Sequence, residues 1–271
     1  MSGAEPAPAP EAPRIIAVAN QKGGVGKTTT SINLGAALAE LGRSVLILDL
    51  DPQGNASTGL GIPTEARQKH AWDLLSGDAT PSELAQPTTT PRLSVIPATQ
   101  DLASADVDLV DDPQRARRIA AAFTQDRGDW DVVFIDCPPS LNLLTINAMA
   151  AAESVLVPLQ CEFFAMEGLT QLLGTVKEIR RVLNPRLRVE GVVLTMYDRR
   201  NNLSDLVAQD VREALGREVY RTVIPRNVRL SEAPSHALPV IAYQSGSTGA
   251  MAYRALAREF MERADAGVAA A

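Results

Sequence analysis

Hydrophobic positions in this 271-residue chain form short continuous runs that alternate with longer stretches at helical spacing. Continuous runs are typical of strands buried on both faces, and helical spacing indicates amphipathic helices. Alternation of the two predicts a single α/β domain with a mostly parallel sheet covered by helices on both faces. The predicted strands are 15–20, 45–48, 93–96, 131–135, 154–158, 189–195 and 219–224, and the predicted helices are 28–41, 114–124, 141–152, 166–183, 203–215 and 248–263.

The remaining stretches set the domain organisation. Residues 1–13 are rich in Pro and Ala, and we expect them to form a disordered tail. Residues 14–265 are predicted to form the single domain, with 266–271 as a short flexible C-terminus. Residues 52–92 are rich in Pro, Gly and Thr, with two short helices expected near 72–75 and 82–84.

Polar residues and a proline stand where predicted strands end. Asn20, Asp49, Asp136, Thr195 and Pro225 each close or directly follow an apolar run. Parallel sheets bind their ligands at the carboxyl ends of the strands. The functional site should therefore assemble at this edge.

The first predicted turn has the composition of a phosphate-binding loop. Residues 20–30 read Asn-Gln-Lys-Gly-Gly-Val-Gly-Lys-Thr-Thr-Thr, between a strand and a helix. Glycines allow backbone N–H groups to surround phosphates, Lys27 is placed to reach them, and Thr28 can bind Mg²⁺. The common motif has glycine at position 21, where this chain has Gln21, and the loop carries an additional Lys22. The pattern predicts ATP and Mg²⁺ binding by Gly23, Gly24, Val25, Gly26, Lys27, Thr28 and Thr29.

Three carboxylates are expected beside this loop. Asp49 and Asp51 follow the second strand and, by alternation, lie on the same side near the phosphates. Asp136 ends another apolar strand and resembles a Walker B acid, which holds a magnesium-bound water. Thr28, Asp49 and Asp136 are the predicted metal residues.

Charge is distributed unevenly along the chain. The net charge is −6, yet residues 177–229 contain 12 basic and 7 acidic side chains. This segment is either a solvated arginine-rich surface or a local anion-binding face. No apolar run is long enough to span a bilayer and no secretory signal is present, so we expect a cytoplasmic location. Cys137 and Cys161 are expected to be reduced structural thiols.

Several stretches resemble one known family. Residues 22–29 and the Asp-Leu-Asp-Pro-Gln-Gly-Asn of 49–55 resemble the deviant Walker A ATPases of the ParA/MinD group. Residues 134–140, Phe-Ile-Asp-Cys-Pro-Pro-Ser, resemble its switch II. The stretches 195–198 and 224–235 resemble the chromosomal ParA branch, also called Soj-like. The resemblance covers nearly the whole chain from Arg14 onward.

The resemblance implies a P-loop ATPase mechanism in a dimer. ATP would join two subunits face to face, with Lys22 reaching across to the partner's phosphates. Lys27 would contact phosphates within its own subunit, and Asp51 would orient the attacking water. Pro225 and Arg226 lie where the family contacts adenine.

The resemblance also implies partners. The ATP-bound homodimer would bind DNA without sequence preference through Arg200 and Arg229, on the nucleoid. A ParB-like activator would stimulate hydrolysis to ADP and phosphate and release the DNA. The cargo could be a chromosome or a plasmid.

Three alternatives share this loop chemistry. A MinD-like membrane ATPase would carry a basic, amphipathic C-terminal helix, whereas residues 263–271 hold one basic residue and no large apolar anchor, so no membrane partner is expected. A cluster-bearing reductase would use two cysteines per subunit, but Cys137 directly after Asp136 does not match that arrangement. A ParA-like ATPase that positions other cargo stays open.

Overall fold

The computed structural model describes residues 12–268, and the side chains of residues 12–265. Most of the tail predicted over residues 1–13 and the last three residues lie outside the described residues. So do the side chains of the predicted flexible C-terminus over 266–271.

A seven-stranded sheet forms the centre of the molecule, in the order β3-β4-β2-β5-β1-β6-β7. Adjacent strands are parallel, except that β3 pairs with β4 in the antiparallel direction. The strands are β1 (Arg14–Val18), β2 (Val45–Asp49), β3 (Gln86–Pro87), β4 (Leu93–Ile96), β5 (Val132–Asp136), β6 (Ser154–Gln160) and β7 (Arg188–Thr195). The mostly parallel sheet predicted from the sequence is confirmed.

Helices cover the sheet and line its carboxyl edge. They are α1 (Lys27–Glu40), α2 (Asn55–Gly59), α3 (Ala71–Ser76), α4 (Pro81–Leu84), α5 (Ala105–Asp108), α6 (Arg118–Gln125), α7 (Leu143–Ala151), α8 (Ala165–Val182), α9 (Asn202–Leu215), α10 (Val228–Glu232), α11 (Val240–Tyr243) and α12 (Thr248–Val268). Short 3-10 turns occupy 64–66, 100–104, 115–117, 216–218 and 233–236. Within residues 12–268, no helix combines the length and apolar character needed to cross a bilayer.

Two apolar layers hold the helices against the sheet. One face packs on α1 and α12, with Phe134, Tyr253 and Phe260 among its largest buried side chains. The other face packs mainly on α6, α7, α8 and α9. Helix α1 lies between the sheet and α12, and 11 of its 14 residues are buried. Because α1 is enclosed, the loop before it is held at the centre of the sheet edge.

The strand predicted over 219–224 is wrong. Val219 forms only an isolated bridge to Val192 of β7, and Pro225 only an isolated bridge to Tyr197. The Tyr220 N–H still donates to the Val192 carbonyl. The next two N–H groups, of Arg221 and Thr222, donate instead to the carboxylate of Glu259 on α12, at 2.8 and 2.9 Å. A buried side-chain acceptor thus replaces the ladder that a regular strand requires.

The region 52–92 contains more structure than its composition indicates. The two short helices expected there are present as α3 and α4. Helix α2 and strand β3 are present too, and the sequence analysis predicted neither. The predicted helix over 114–124 begins as a 3-10 turn at 115–117 and becomes α6 only at Arg118.

Candidate nucleotide-binding site

The loop after β1 opens onto the N-terminus of α1. Gly26 caps this helix with a backbone φ of 91°, a conformation that favours glycine. The cap has no side-chain hydrogen bond, and the first turn of α1 has no acidic residue. The first N–H groups of the helix, together with its positive dipole end, are therefore available to an anion.

A cavity of about 510 Å³ lies in front of this helix end. It is bounded by the glycine loop, by residues of the 51–59 segment and by residues 233–238. Most of the predicted phosphate residues line it, whereas the side chain of Val25 is buried in the core. The predicted residues that line it are Gly23, Gly24, Gly26, Lys27, Thr28, Thr29 and Asp51.

Lys27 is the buried cation of the cavity. Its side-chain Nζ donates to the carbonyl of Lys22 at 3.0 Å, across the loop. Burial lowers the pKa of Lys27, and the nearby charge of Asp136 opposes that shift. An ammonium held in this way can exchange a loop carbonyl for phosphate oxygens without leaving the loop.

Asp136 presents one unsatisfied oxygen beside the loop. It ends β5 opposite Asp49 of β2, and neither carboxylate is exposed. Oδ1 accepts a hydrogen bond from Ser31 Oγ at 2.8 Å, while Oδ2 is buried with no partner among the described residues. Burial, and then the charge of Asp49, raises the pKa of Asp136. A buried acceptor without a donor fits a metal-bound water beside Thr28.

Asp49 faces a different group of atoms. Its Oδ2 accepts hydrogen bonds from Ser57 N at 2.8 Å and Ser57 Oγ at 2.6 Å, and its Oδ1 accepts from Asp51 N at 3.2 Å. Like Asp136, it lines neither this cavity nor the adjoining one described below, but unlike Asp136 it has no unsatisfied oxygen among the described residues. Burial raises the pKa of Asp49, and the hydrogen bonds from Ser57 oppose that shift. The carboxylate therefore ties α2 to β2, and a metal role for Asp49 stays a prediction.

Asp51 lies on the cavity wall, in the turn before α2. Its Oδ1 accepts the Gln53 N–H at 3.0 Å, and its carbonyl accepts the Gly54 N–H at 2.8 Å. Its negative charge also raises the pKa of Lys27, against the effect of burial. The carboxylate is thus held at the mouth of the site by its own turn.

Lys22 does not line the cavity. Its N–H donates to Asn20 Oδ1 at 3.0 Å, and its ammonium forms an ion pair with Glu162, which follows β6. The Lys22 side chain is 43% exposed. Sequence reasoning did not find Glu162, because 140 residues separate the two partners and no local pattern connects them.

A second cavity of about 480 Å³ adjoins the first and shares Gly26, Thr29, Met196 and Pro234 with it. Pro225 and Arg226, the predicted adenine residues, line this second cavity. Together the two cavities form a continuous cleft from the glycine loop to residues 224–231. One end holds the glycine loop and is suited to phosphates, and the other end holds Pro225 and Arg226.

Arg200 and Arg229 lie outside the cleft, and both are exposed. Arg200 is 90% exposed and bonds to Asp198 at 3.0 Å, which holds the pKa of that carboxyl at about 2. Arg229, in α10, bonds to Glu232 at 2.6 Å. Exposed pairs of this kind are worth little, so either arginine can exchange its partner for a phosphate.

The two cysteines are buried and unpaired. Burial raises the pKa of Cys161 to about 11 and raises that of Cys137 further. Within the part of the chain that the structure describes, no group of three or more His, Cys, Asp or Glu side chains is placed to hold a metal ion.

Known proteins share this arrangement. The AAA domain family model matches residues 13–189. The chromosome partitioning protein ParA of Caulobacter vibrioides is 56% identical over 252 residues, covering 92% of this chain and 94% of the relative. The sporulation initiation inhibitor protein Soj of Bacillus subtilis is 52% identical over 246 residues, covering 91% and 97%.

Solved structures agree with the sequence comparisons. A Mycobacterium smegmatis protein named cobyrinic acid a,c-diamide synthase, with a bound ATP analogue and magnesium, superposes with a TM-score of 0.84. It is 39% identical, and the match covers 94% of this chain and 96% of the mycobacterial chain.

Proposed function

Because the chain belongs to the ParA/Soj family of chromosome-partitioning ATPases, we propose that it hydrolyses ATP to ADP and phosphate to partition DNA. The observation that supports this most directly is the cleft itself, in which Lys27, Thr28 and Asp51 surround one cavity beside the unsatisfied oxygen of Asp136. The mycobacterial protein bears another name, but at 39% identity it is less similar than the two partitioning proteins at 56% and 52%.

ATP and Mg²⁺ are the cofactors of this cleft. The glycine loop and Lys27 hold the phosphates, and Pro225 and Arg226 contact the adenine. Thr28 and Asp136 hold Mg²⁺, with Asp49 as a further supporting carboxylate. Bound Mg²⁺ neutralises phosphate charge, which lowers the barrier to phosphoryl transfer.

Two residues carry the chemistry on this chain. Asp51 orients the attacking water, because its carboxylate lies on the cavity wall and is fixed by the Gln53 N–H. Lys22 acts on the partner subunit in an ATP-bound homodimer. Its absence from the lining of its own cavity is consistent with a role in trans, where a cation would neutralise charge that develops on the transferred phosphoryl group.

The homodimer binds DNA without sequence preference through Arg200 and Arg229, which places the protein on the nucleoid. Both arginines are exposed and paired only with neighbouring acids, so phosphates can replace those acids. A ParB-like activator stimulates hydrolysis and thereby releases the DNA.

Mixing two inactive variants tests the role in trans. The Lys22→Ala subunit keeps Asp51, and the Asp51→Ala subunit keeps Lys22. In a heterodimer, the Lys22 of the second subunit can therefore reach the site that holds the Asp51 of the first. If Lys22 acts across the dimer, each heterodimer contains one complete site, and an equal mixture should recover about a quarter of wild-type turnover. Each variant alone should remain inactive, and both should bind ATP.

Two outcomes contradict the proposal. A mixture that stays inactive although the variants form heterodimers would assign Lys22 to its own subunit. Failure of the wild-type dimer to retain non-specific DNA with a non-hydrolysed ATP analogue would defeat the partitioning assignment.

A further inference from the structure

Arg67 is a buried arginine behind the nucleotide cleft. It follows the 3-10 turn at 64–66 and is 7% exposed. No carboxylate among the described side chains forms an ion pair with it, and burial lowers the pKa of its guanidinium. A buried charge without an ion-pair partner is costly unless hydrogen bonds satisfy its donors.

Four hydrogen bonds use four of the five N–H donors of the guanidinium and join three segments. Nε and Nη2 donate to the Ile62 carbonyl at 3.1 and 2.9 Å. Nη1 donates to the Ala98 carbonyl at 3.2 Å, and Nη2 also donates to Thr58 Oγ1 at 2.7 Å. Helix α2, the turn after it and the segment after β4 are therefore fixed to one planar group, which a lysine could not imitate.

Asp49 holds the same helix through the residue next to Thr58. Ser57 of α2 donates to the Asp49 carboxylate, and Ser57 Oγ accepts the Ala98 N–H at 3.0 Å. The backbone of Ala98 is thus bonded through its N–H to the Ser57 side chain and through its carbonyl to Arg67. Helix α2 is therefore hydrogen-bonded to two buried charged groups.

Hydrogen bonds lead from Arg67 to Asp51. Thr58 Oγ1, which accepts from Arg67, donates to the Gly54 carbonyl at 3.0 Å. The Gly54 N–H donates to the Asp51 carbonyl at 2.8 Å. Displacement of the guanidinium would therefore weaken the support of the turn that carries Asp51, which is held in addition by the Asp51 N–H bond to Asp49 and the Gln53 N–H bond to Asp51.

We propose that Arg67 is a positioning residue for ATP hydrolysis, which holds the segment from Asp51 to Gly59 in its place on the cavity wall. The inference rests on the proposed role of Asp51. Arg67 contacts neither cavity, so its effect on the reaction passes through Thr58 and the turn.

Gly54 gives an independent indication that the guanidinium is tightly placed. A Cβ atom at position 54 would lie 2.1 Å from Arg67 Nη1 and 3.2 Å from its Cζ. The backbone of Gly54 also has a φ of 62°, which disfavours other residues. Glycine is required here both by the turn and by the position of Arg67.

The test compares Arg67→Met with Arg118→Met. Arg118 is a partly buried arginine that bonds to Asp112 and lines neither cavity. We expect Arg67→Met to lower kcat at least about tenfold while KM for ATP changes less than about threefold, and Arg118→Met to leave both unchanged. Arg67→Lys should not restore kcat, because one ammonium cannot reach all three segments.

Amide hydrogen exchange separates this inference from the proposed function. Exchange of the amides over residues 54–62 should be faster in Arg67→Met than in wild type, in protein without nucleotide. This measurement does not depend on turnover. If wild type hydrolyses no ATP, the proposed function fails, while faster exchange still supports the structural part of the inference.

A double-mutant cycle with Gly54→Ala completes the test. Gly54→Ala should lower kcat in wild type both by straining the turn and by displacing the guanidinium. In the Arg67→Met background only the strain remains, so the loss should be smaller and the two effects should not add fully. If Arg67→Met does not fold, Arg67→Lys serves in its place, because it keeps the charge and should give the same loss of kcat and the same faster exchange. Unchanged kcat, unchanged exchange in the loop or strict additivity would each overturn the inference.

Discussion

Charged side chains occupy two contrasting settings in this molecule. At the carboxyl edge of the sheet, Lys27, Asp49 and Asp136 are buried and, apart from one oxygen of Asp136, bonded to fixed neighbours. In the arginine-rich segment 177–229, Arg200 is 90% exposed and pairs with an acid two residues away. Charges of the first kind cannot move without disturbing the core, whereas charges of the second kind can change partners freely.

The proposed function would use this difference, because it needs exact recognition of ATP and tolerant recognition of DNA. A phosphoryl group must be placed within a fraction of an ångström, which requires buried side chains whose positions are fixed by several contacts. A DNA backbone of any sequence requires only cations that can be exchanged for counterions. Four predictions test whether the two settings behave in these two ways.

The largest effect should follow from Lys27→Ala. Removal of the buried ammonium leaves the phosphates without their cation, and we expect ATP binding to weaken by at least about 100-fold with no detectable turnover. Binding of a fluorescent ATP analogue would measure this, with the exposed Lys177→Ala as the control. Near-normal ATP binding by Lys27→Ala would show that the buried lysine contributes no more to ATP binding than the exposed Lys177.

Asp51→Ala should impair turnover but not binding. Loss of water orientation affects the transition state only, so we expect kcat to fall about 100-fold while the affinity for ATP changes less than about threefold. The variant should also stay on DNA when the activator is added. Fast hydrolysis with DNA release would assign Asp51 to the structure of its turn.

A smaller effect is expected from replacing Arg200 and Arg229 together with alanine. DNA affinity in the presence of a non-hydrolysed ATP analogue should fall at least about tenfold, and the salt dependence should become shallower by about two phosphate contacts per subunit. ATP binding should not change. The control replaces Arg180 and Arg181, which belong to the same segment and are exposed on α8. Equal losses of DNA affinity in both variants would show that the segment binds DNA as a diffuse cationic surface and not through Arg200 and Arg229 in particular.

The smallest effect concerns pH. Because burial raises the pKa of Asp136, ionising it costs folding free energy. The cost is absent below the unfolded pKa near 4, grows as pH rises towards the folded pKa and is constant above it. The Tm of the nucleotide-free protein should therefore fall by a few degrees between pH 5 and pH 8.

Asp136→Asn supplies the control for the pH series. An asparagine cannot ionise, so the variant should show a flatter dependence of Tm on pH than wild type. Thermal unfolding in the absence of nucleotide at four or five pH values would measure both proteins. Parallel curves would show that Asp136 does not contribute to the pH dependence.

Much of the fold could be predicted because the strands are continuous apolar runs. The run at 93–96 corresponds to β4 without a shift, and Asp136, predicted at a strand end, is the last residue of β5. The glycine loop was predictable for a similar reason, since its composition and the helix after it are local in sequence. Local patterns suffice wherever neighbouring residues decide the structure.

The remaining features depend on residues far apart in the chain. The strand predicted over 219–224 is absent because Glu259 bonds its N–H groups. Nothing in the composition of 52–92 indicates that Arg67 binds the carbonyl of Ala98. Nothing in the residues around Lys22 indicates that it pairs with Glu162. These contacts arise when the sheet brings separate segments together, so the sequence around each residue carries no sign of them.

The two edges of the sheet also bear on how copies of this protein meet one another. Strand β3 forms one edge of the sheet and has two residues, of which Pro87 has no N–H to donate. Along the other edge, the Val192 and Leu194 carbonyls of β7 accept hydrogen bonds from Tyr220 and Ile224. Neither edge offers a long row of free backbone groups, so crowded copies have little opportunity to add strand to strand and aggregate.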